Sequence, residues 1–250
     1  MLTLKAAEAM AGRVLAARYP EADALLLTGS HVRGDATAGS DLDLIVLYAS
    51  LPRARRESFT FEAMPVEAFI HDRETLAWSL KADIDAGKPG MHNMVAEGRI
   101  QGPRTAALER LQARARERLA AGPGPLTPAS IEAFRYHITD RLTDLADERD
   151  PAEVLAIGVW LYIALADLML RGRGRWAATG KWIPRHLAAI DPALARRFSD
   201  AFEALLARRD PAQVIALAEA ELAPHGGLLF EGYLSEAEAT ARLADEPEAG

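Results

Sequence analysis

The 250-residue chain contains no cysteine. Disulfides and thiolate metal sites are thereby excluded, and a reducing cytosol is the expected compartment. Lysine is scarce as well. Only Lys5, Lys81, Lys88 and Lys181 are lysines among 29 basic residues, a bias that genomic base composition explains and that carries no functional weight. No basic start runs into an early apolar stretch, so no signal peptide is expected. The longest apolar run, Val154 to Leu170, contains Asp167 and is short for a bilayer span, so it reads as a buried helix. An excess of positive charge is missing too. The net charge is −7 and the pI about 5.5, which disfavours general nucleic-acid binding through phosphate neutralisation. What remains is an ordinary globular balance, 50% hydrophobic and 26% charged, enough for one large or two modest domains.

Periodicity orders the chain. Leu4 to Arg18 carries an amphipathic helical stripe. Ala24 to Leu27 is a short strand ending in the turn Thr28-Gly29-Ser30, and Leu42 to Tyr48 is a second strand. Ser58 to Ala63 and Val66 to Ile70 flank Met64-Pro65, which reads as a tight connection between neighbouring strands. Arg73 to Ile84 is helical with Asp72 as N-cap. Gly87 to Gly90 is a loop, Val95 to Ile100 an edge strand and Thr105 to Ala120 a charged helix. Ala121-Gly122-Pro123-Gly124-Pro125 cannot continue a helix and marks a linker. Beyond it the pattern is helical, with starts at Thr127-Pro128, Asp150-Pro151, Asp191-Pro192 and Asp210-Pro211. The acidic end, Ala244 to Gly250, is expected to fray. The expected fold is a mixed β-sheet flanked by helices over residues 1–120, followed by an all-helical domain over residues 126–250.

The chemistry concentrates near residue 40. Alternation along a strand places Asp41 and Asp43 on one face, with Leu42 and Leu44 turned to the core. Paired carboxylates repel, and a divalent cation between them offsets that repulsion. Oxygen ligands of this kind suit Mg²⁺ together with substrate phosphates. Glu67 stands alone among Val66, Ala68, Phe69 and Ile70, where an acid is costly without a partner. If its strand pairs with the one holding Asp43, it can face both aspartates. Two metal ions about 3.5–4 Å apart could then activate a hydroxyl and neutralise a leaving pyrophosphate. Gly29 would let the backbone approach phosphates, and Ser30 and Ser40 would donate hydroxyl hydrogen bonds to them.

Gly29-Ser30, Asp41-x-Asp43 and Glu67 together resemble the polymerase-β-type nucleotidyltransferase superfamily. The compact Gly-Ser-x-x-Arg-Gly-Asp form is similar to the small bacterial branch that includes aminoglycoside, lincosamide and minimal nucleotidyltransferases. The resemblance covers about the first 100 residues. It implies an NTP donor, most often ATP, two Mg²⁺ ions, and Asp41, Asp43 and Glu67 as metal-binding catalytic acids. Glu67 stands where the family usually has Asp. The acceptor it implies is a hydroxyl on a small molecule, such as an aminoglycoside antibiotic, and the acidic balance of the chain suits a cation. A protein or RNA acceptor and a non-catalytic nucleotide-binding module are the alternatives. The setting is cytoplasmic, without a membrane partner, and a homodimer is compatible with it.

The remaining candidates are weaker. Arg33 could contact phosphate oxygens, or it is a surface arginine. The loop from Gly172 to Arg185 is not a Walker A motif, because Gly174 and Gly180 are one residue too far apart and Trp182 replaces the metal-binding hydroxyl. Lys181 in that loop is nonetheless a candidate triphosphate contact. Tyr136, His137, Asp140 and Asp144 share one helix. One of them could be a general base, the alternative being structural partners of Arg141.

Overall fold

The computed structural model describes residues 2–147 and 150–237. Ala244 to Gly250, expected to fray, lies outside the described residues. The chain divides into two compact units. The first is Met1–Pro125 together with Arg173–Ala178, and the second comprises Leu126–Gly172 and the residues from Thr179 onward.

The first unit opens with α1 (Leu4–Arg18), whose first turn is capped by the Thr3 hydroxyl accepting from the Ala6 N–H at 3.2 Å. Next come β1 (Ala24–Thr28), a single turn α2 (Ser30–Arg33), β2 (Leu42–Leu47), β3 (Arg55–Phe61) and β4 (Met64–His71). They are followed by α3 (Arg73–Ala86), α4 (Gly90–Glu97), β5 (Arg99–Gln101) and α5 (Ala106–Ala121). The sheet is mixed, in the order β3-β4-β2-β1-β5. β2 and β4 run parallel and the other pairs antiparallel.

Two apolar layers follow from strand alternation. Leu25, Leu27, Leu42, Leu44, Val46, Val66, Ala68 and Ile70 meet Ala7, Met10, Ala11 and Val14 of α1. Leu26, Ile45 and Leu47 meet Leu76 of α3, Val95 and Ala96 of α4 and Ala115 of α5 on the other face. Asp72 caps α3 in a reciprocal box with Thr75 and also accepts from the Leu51 N–H. The backbone N–H and hydroxyl of Thr75 and the Leu51 N–H hold its carboxyl down at about 2.

Two local expectations are corrected. The β3–β4 connection is Glu62-Ala63, not Met64-Pro65. Both residues have positive φ, at 48° and 65°, as a two-residue primed turn requires. Pro65 sits inside β4 but pairs only with Thr60, one residue before the pairing with β2 begins at Val66, so its missing N–H costs no ladder bond there. Val95 to Ile100 is not one strand. Val95 and Ala96 end α4 and pack on the sheet, and only Arg99–Gln101 pair with β1. Between them Gly98 presses its Cα on Leu26.

The second unit holds α6 (Pro128–Ala146), α7 (Pro151–Arg171), α8 (Trp182–Ile190), α9 (Pro192–Arg208) and α10 (Ala212–Leu222). The Asp150-Pro151 and Asp191-Pro192 pairs start helices as expected, each aspartate accepting an N–H two residues on at 2.8 Å. α7 is long and apolar enough to cross a membrane by composition alone. One face, including Leu161, Leu165, Leu168 and Met169, is buried, while Leu155, Val159 and Ile163 are exposed. Tyr162 meets the rings of Phe198 and Phe202 in α9 edge-on.

A Cβ at Gly98 would stand 2.8–2.9 Å from Leu26 side-chain atoms and 3.0 Å from the Met94 carbonyl. Gly98→Ala is therefore expected to cost about 1–3 kcal/mol by overpacking, read as a lowered midpoint in urea unfolding. An unchanged midpoint would contradict this packing.

Candidate active site

Register brings the acids together. Asp43 in β2 lies opposite Glu67 in β4 on one side and opposite Thr28 in β1 on the other. Asp41 and Asp43 extend the sheet face of Ile45 and Leu47, whereas Leu42 and Leu44 enter the layer under α1. One carboxylate oxygen from each of Asp41, Asp43 and Glu67 lies within 4.8 Å of the others. Three hard oxygen donors at this spacing fit a divalent cation such as Mg²⁺.

Gly29 is what lets Asp43 sit there. Its φ is +78°, a conformation that glycine adopts readily. A Cβ built on it would stand 1.9 Å from Asp43 Oδ2. The carboxylate thus occupies the place of a side chain. Burial pushes the Asp43 carboxyl up to about 6, and the neighbouring charges of Asp41, Glu67 and Glu97 add to the rise against the opposing pull of Arg33.

The other expected residues are distributed as follows. Ser30 is the first residue of α2 and is buried. The Ser40 hydroxyl accepts from the Thr37 N–H at 2.8 Å and closes the turn that precedes Asp41. The Arg33 guanidinium donates to Glu97 at 2.6 Å and lies 3.5 Å from Asp35. Lys181 is exposed at the start of α8, in the second unit. In α6, Arg141 pairs with both Asp140 and Asp144, and Tyr136 stacks on Tyr233 with centroids 4.0 Å apart. These two aspartates are thus engaged as structural partners of Arg141.

Two residues escaped the sequence reading. Arg56 of β3 donates to Glu67 at 2.5 Å while its guanidinium stacks over Phe69 at 4.9 Å. Glu97, at the end of α4, accepts through Oε1 from the Thr28 hydroxyl at 2.8 Å, the Gly29 N–H at 2.9 Å and Arg33. An acid directly after Val95-Ala96 was the available signal for Glu97. Arg56 had none, because its partner is set by strand register.

An acid held up at about 6 ionises at a cost in the folded protein, because the unfolded chain gives up that proton nearer the usual carboxylate range. The metal-free fold should therefore lose stability as the pH rises through about 4 to 6, and Mn²⁺ or Mg²⁺ should restore it. Asp43→Asn should raise the metal-free melting temperature at pH 8 by about 2–4 °C and remove the stabilisation by cation. An unchanged melting temperature would contradict the electrostatic account. Gly29→Ala should weaken Mn²⁺ binding by about 10-fold or more by displacing Asp43, as measured by calorimetry; wild-type affinity would show that the two do not compete for space.

A family model agrees with this geometry. Residues 13–81 match the nucleotidyltransferase domain family. No curated protein matches the chain. Among solved structures, it is similar to a nucleotidyltransferase-like protein from Exiguobacterium sibiricum 255-15. The two are 16% identical, with a TM-score of 0.44, over 87% of this chain and 73% of that one. The matched stretch contains β1 to β4 and all three clustered acids. Residues 13–81 are thus a nucleotidyltransferase domain of the polymerase-β type.

Proposed function

We propose that this protein transfers a nucleoside monophosphate, most simply AMP from ATP, to a hydroxyl of a small molecule, with Mg²⁺ as cofactor. The observation that carries this reading is the cluster of Asp41, Asp43 and Glu67 inside a nucleotidyltransferase domain. In the reaction, the acceptor hydroxyl oxygen bonds to the α-phosphorus and the bond between the α-phosphorus and the bridging oxygen breaks. Pyrophosphate leaves, and the hydroxyl proton is released. Asp41, Asp43 and Glu67 would hold two Mg²⁺ ions, which supply neutralisation of the phosphates and of the departing pyrophosphate.

The chain's own groups divide the remaining work. Ser30 and Ser40 offer hydroxyls to the phosphate oxygens, beside the close-packed backbone at Gly29. Arg33 is the cation assigned to the triphosphate. In the second unit, an open apolar hollow of about 280 Å³ is lined by Ser130, Ala133, Phe134, His137, Trp160 and Ala164. The net charge of −7 favours cationic acceptors, aminoglycoside antibiotics among them. We place the reaction in the cytosol, with no membrane or general nucleic-acid partner.

Radiolabelled NTPs, Mg²⁺ and a panel of small hydroxylic acceptors test the reading. Labelled product and pyrophosphate are expected with ATP, and Asp43→Ala should reduce the rate by ~100-fold or more. Labelling of a protein or RNA band instead would overturn the small-molecule acceptor. Absence of transfer to any acceptor, with Asp43→Ala indistinguishable from wild type, would overturn the reaction itself.

A further inference from the structure

We infer that Glu97 is a positioning residue that holds the Gly29 turn and, through it, the Asp43 carboxylate in place. The inference rests on the nucleotidyl-transfer reading for its consequence in catalysis, but not for its geometry. Gly29 is the point in the site with the greatest conformational freedom, and Asp43 leans directly on its Cα. A turn of that kind needs an outside anchor if it is to back a carboxylate in one position. Glu97 is such an anchor. A single oxygen, Oε1, accepts from the hydroxyl of Thr28, from the backbone N–H of Gly29 and from the guanidinium of Arg33. Thr28 is also the residue that faces Asp43 across the β1–β2 ladder. The carboxylate therefore grips both the strand end and the turn that flank Asp43.

The anchor is itself anchored. Gln112 of α5, fully engaged in the interior, donates to the carbonyls of Val95 at 3.0 Å and Gly98 at 2.7 Å, on either side of Glu97. Arg116 donates to the Ala96 carbonyl at 3.2 Å. Gly98 packs against Leu26 of β1 without room for a Cβ. The end of α4 is thus tied to both α5 and the sheet, and Glu97 projects from it onto the Gly29 turn. Hydrogen bonds to an ionised acceptor are about twice as strong as neutral ones, so three on one oxygen make a stiff link. The same oxygen holds the fork of Arg33 next to the turn that it follows in sequence.

Titration with Mn²⁺ alone, followed by calorimetry, reads the position of Asp43 without an acceptor, and steady-state kinetics with Mg·ATP read its consequence. Glu97→Ala should lower Mn²⁺ affinity and kcat by about 10-fold or more at a KM for ATP that changes less than kcat. Glu97→Gln keeps an oxygen for Thr28 and Gly29, and should stay within about threefold of wild type in both. Glu97→Ala with wild-type Mn²⁺ affinity would overturn the inference, as would Glu97→Gln as impaired as Glu97→Ala. If Glu97→Ala does not fold, Thr28→Val carries the same expectation with a smaller loss, and wild-type affinity in that variant would overturn it. A wild-type protein that binds Mn²⁺ but transfers no nucleotide overturns the proposed function and leaves the Mn²⁺ comparison decisive for Glu97.

Discussion

Asp43 and Gly29 compete for one volume, and the site depends on the carboxylate winning it. Oδ2 of Asp43 lies 1.9 Å from where a side chain at residue 29 would begin. Residue 29 must therefore be glycine, and it adopts a positive φ from which α2 turns away. With Asp43 seated there, the parallel pairing of β2 and β4 decides the rest. It puts Glu67 opposite Asp43, and alternation puts Asp41 on the same face. One packing constraint and one register thus assemble a three-carboxylate cluster from residues up to 26 positions apart.

The arrangement is electrostatically costly by itself. Burial first, and then the charges of Asp41, Glu67 and Glu97, raise the proton affinity of Asp43. The fold places arginines on the acids that border it: Arg56 on Glu67 and Arg33 on Glu97. Both arginines come from elements next to the cluster, β3 and α2, and both are at least partly solvated. Such pairs add little net stability at an exposed surface. Their effect here is to fix the orientation of acids whose mutual repulsion would otherwise splay them. A cluster that destabilises its own fold and suits a cation is the usual signature of function in an otherwise consistent sequence.

Much of this was legible from the residues in order. The apolar runs at Ala24 and Leu42, each bounded by turn residues, became β1 and β2, and Asp72 capped α3 as its position implied. Glu67 stood out because an isolated acid in an apolar strand needs a partner. Other features were hidden for identifiable reasons. Val95 and Ala96 are too short a run to distinguish a buried helix end from a strand, and α4 is only eight residues long. The β3–β4 turn, Glu62-Ala63, lacks the Asn-Gly signature of its type, whereas Pro65 beside it carries the stronger turn signal. Glu97 acts through contacts 64 to 69 residues apart and Arg56 through a cross-strand contact, and no local pattern encodes either. The helical unit declared its starts through Asp-Pro pairs but said little about its ligand.

In the proposed reaction Asp41, Asp43 and Glu67 together hold the divalent cation at which a nucleoside triphosphate reacts. Anomalous diffraction from crystals grown with Mn²⁺ and a non-hydrolysable ATP analogue addresses it most directly. A manganese peak bounded by those three carboxylates is expected, with the α-phosphate of the analogue at the same ion. A triphosphate bound elsewhere in the chain, with no manganese between Asp41, Asp43 and Glu67, would contradict it.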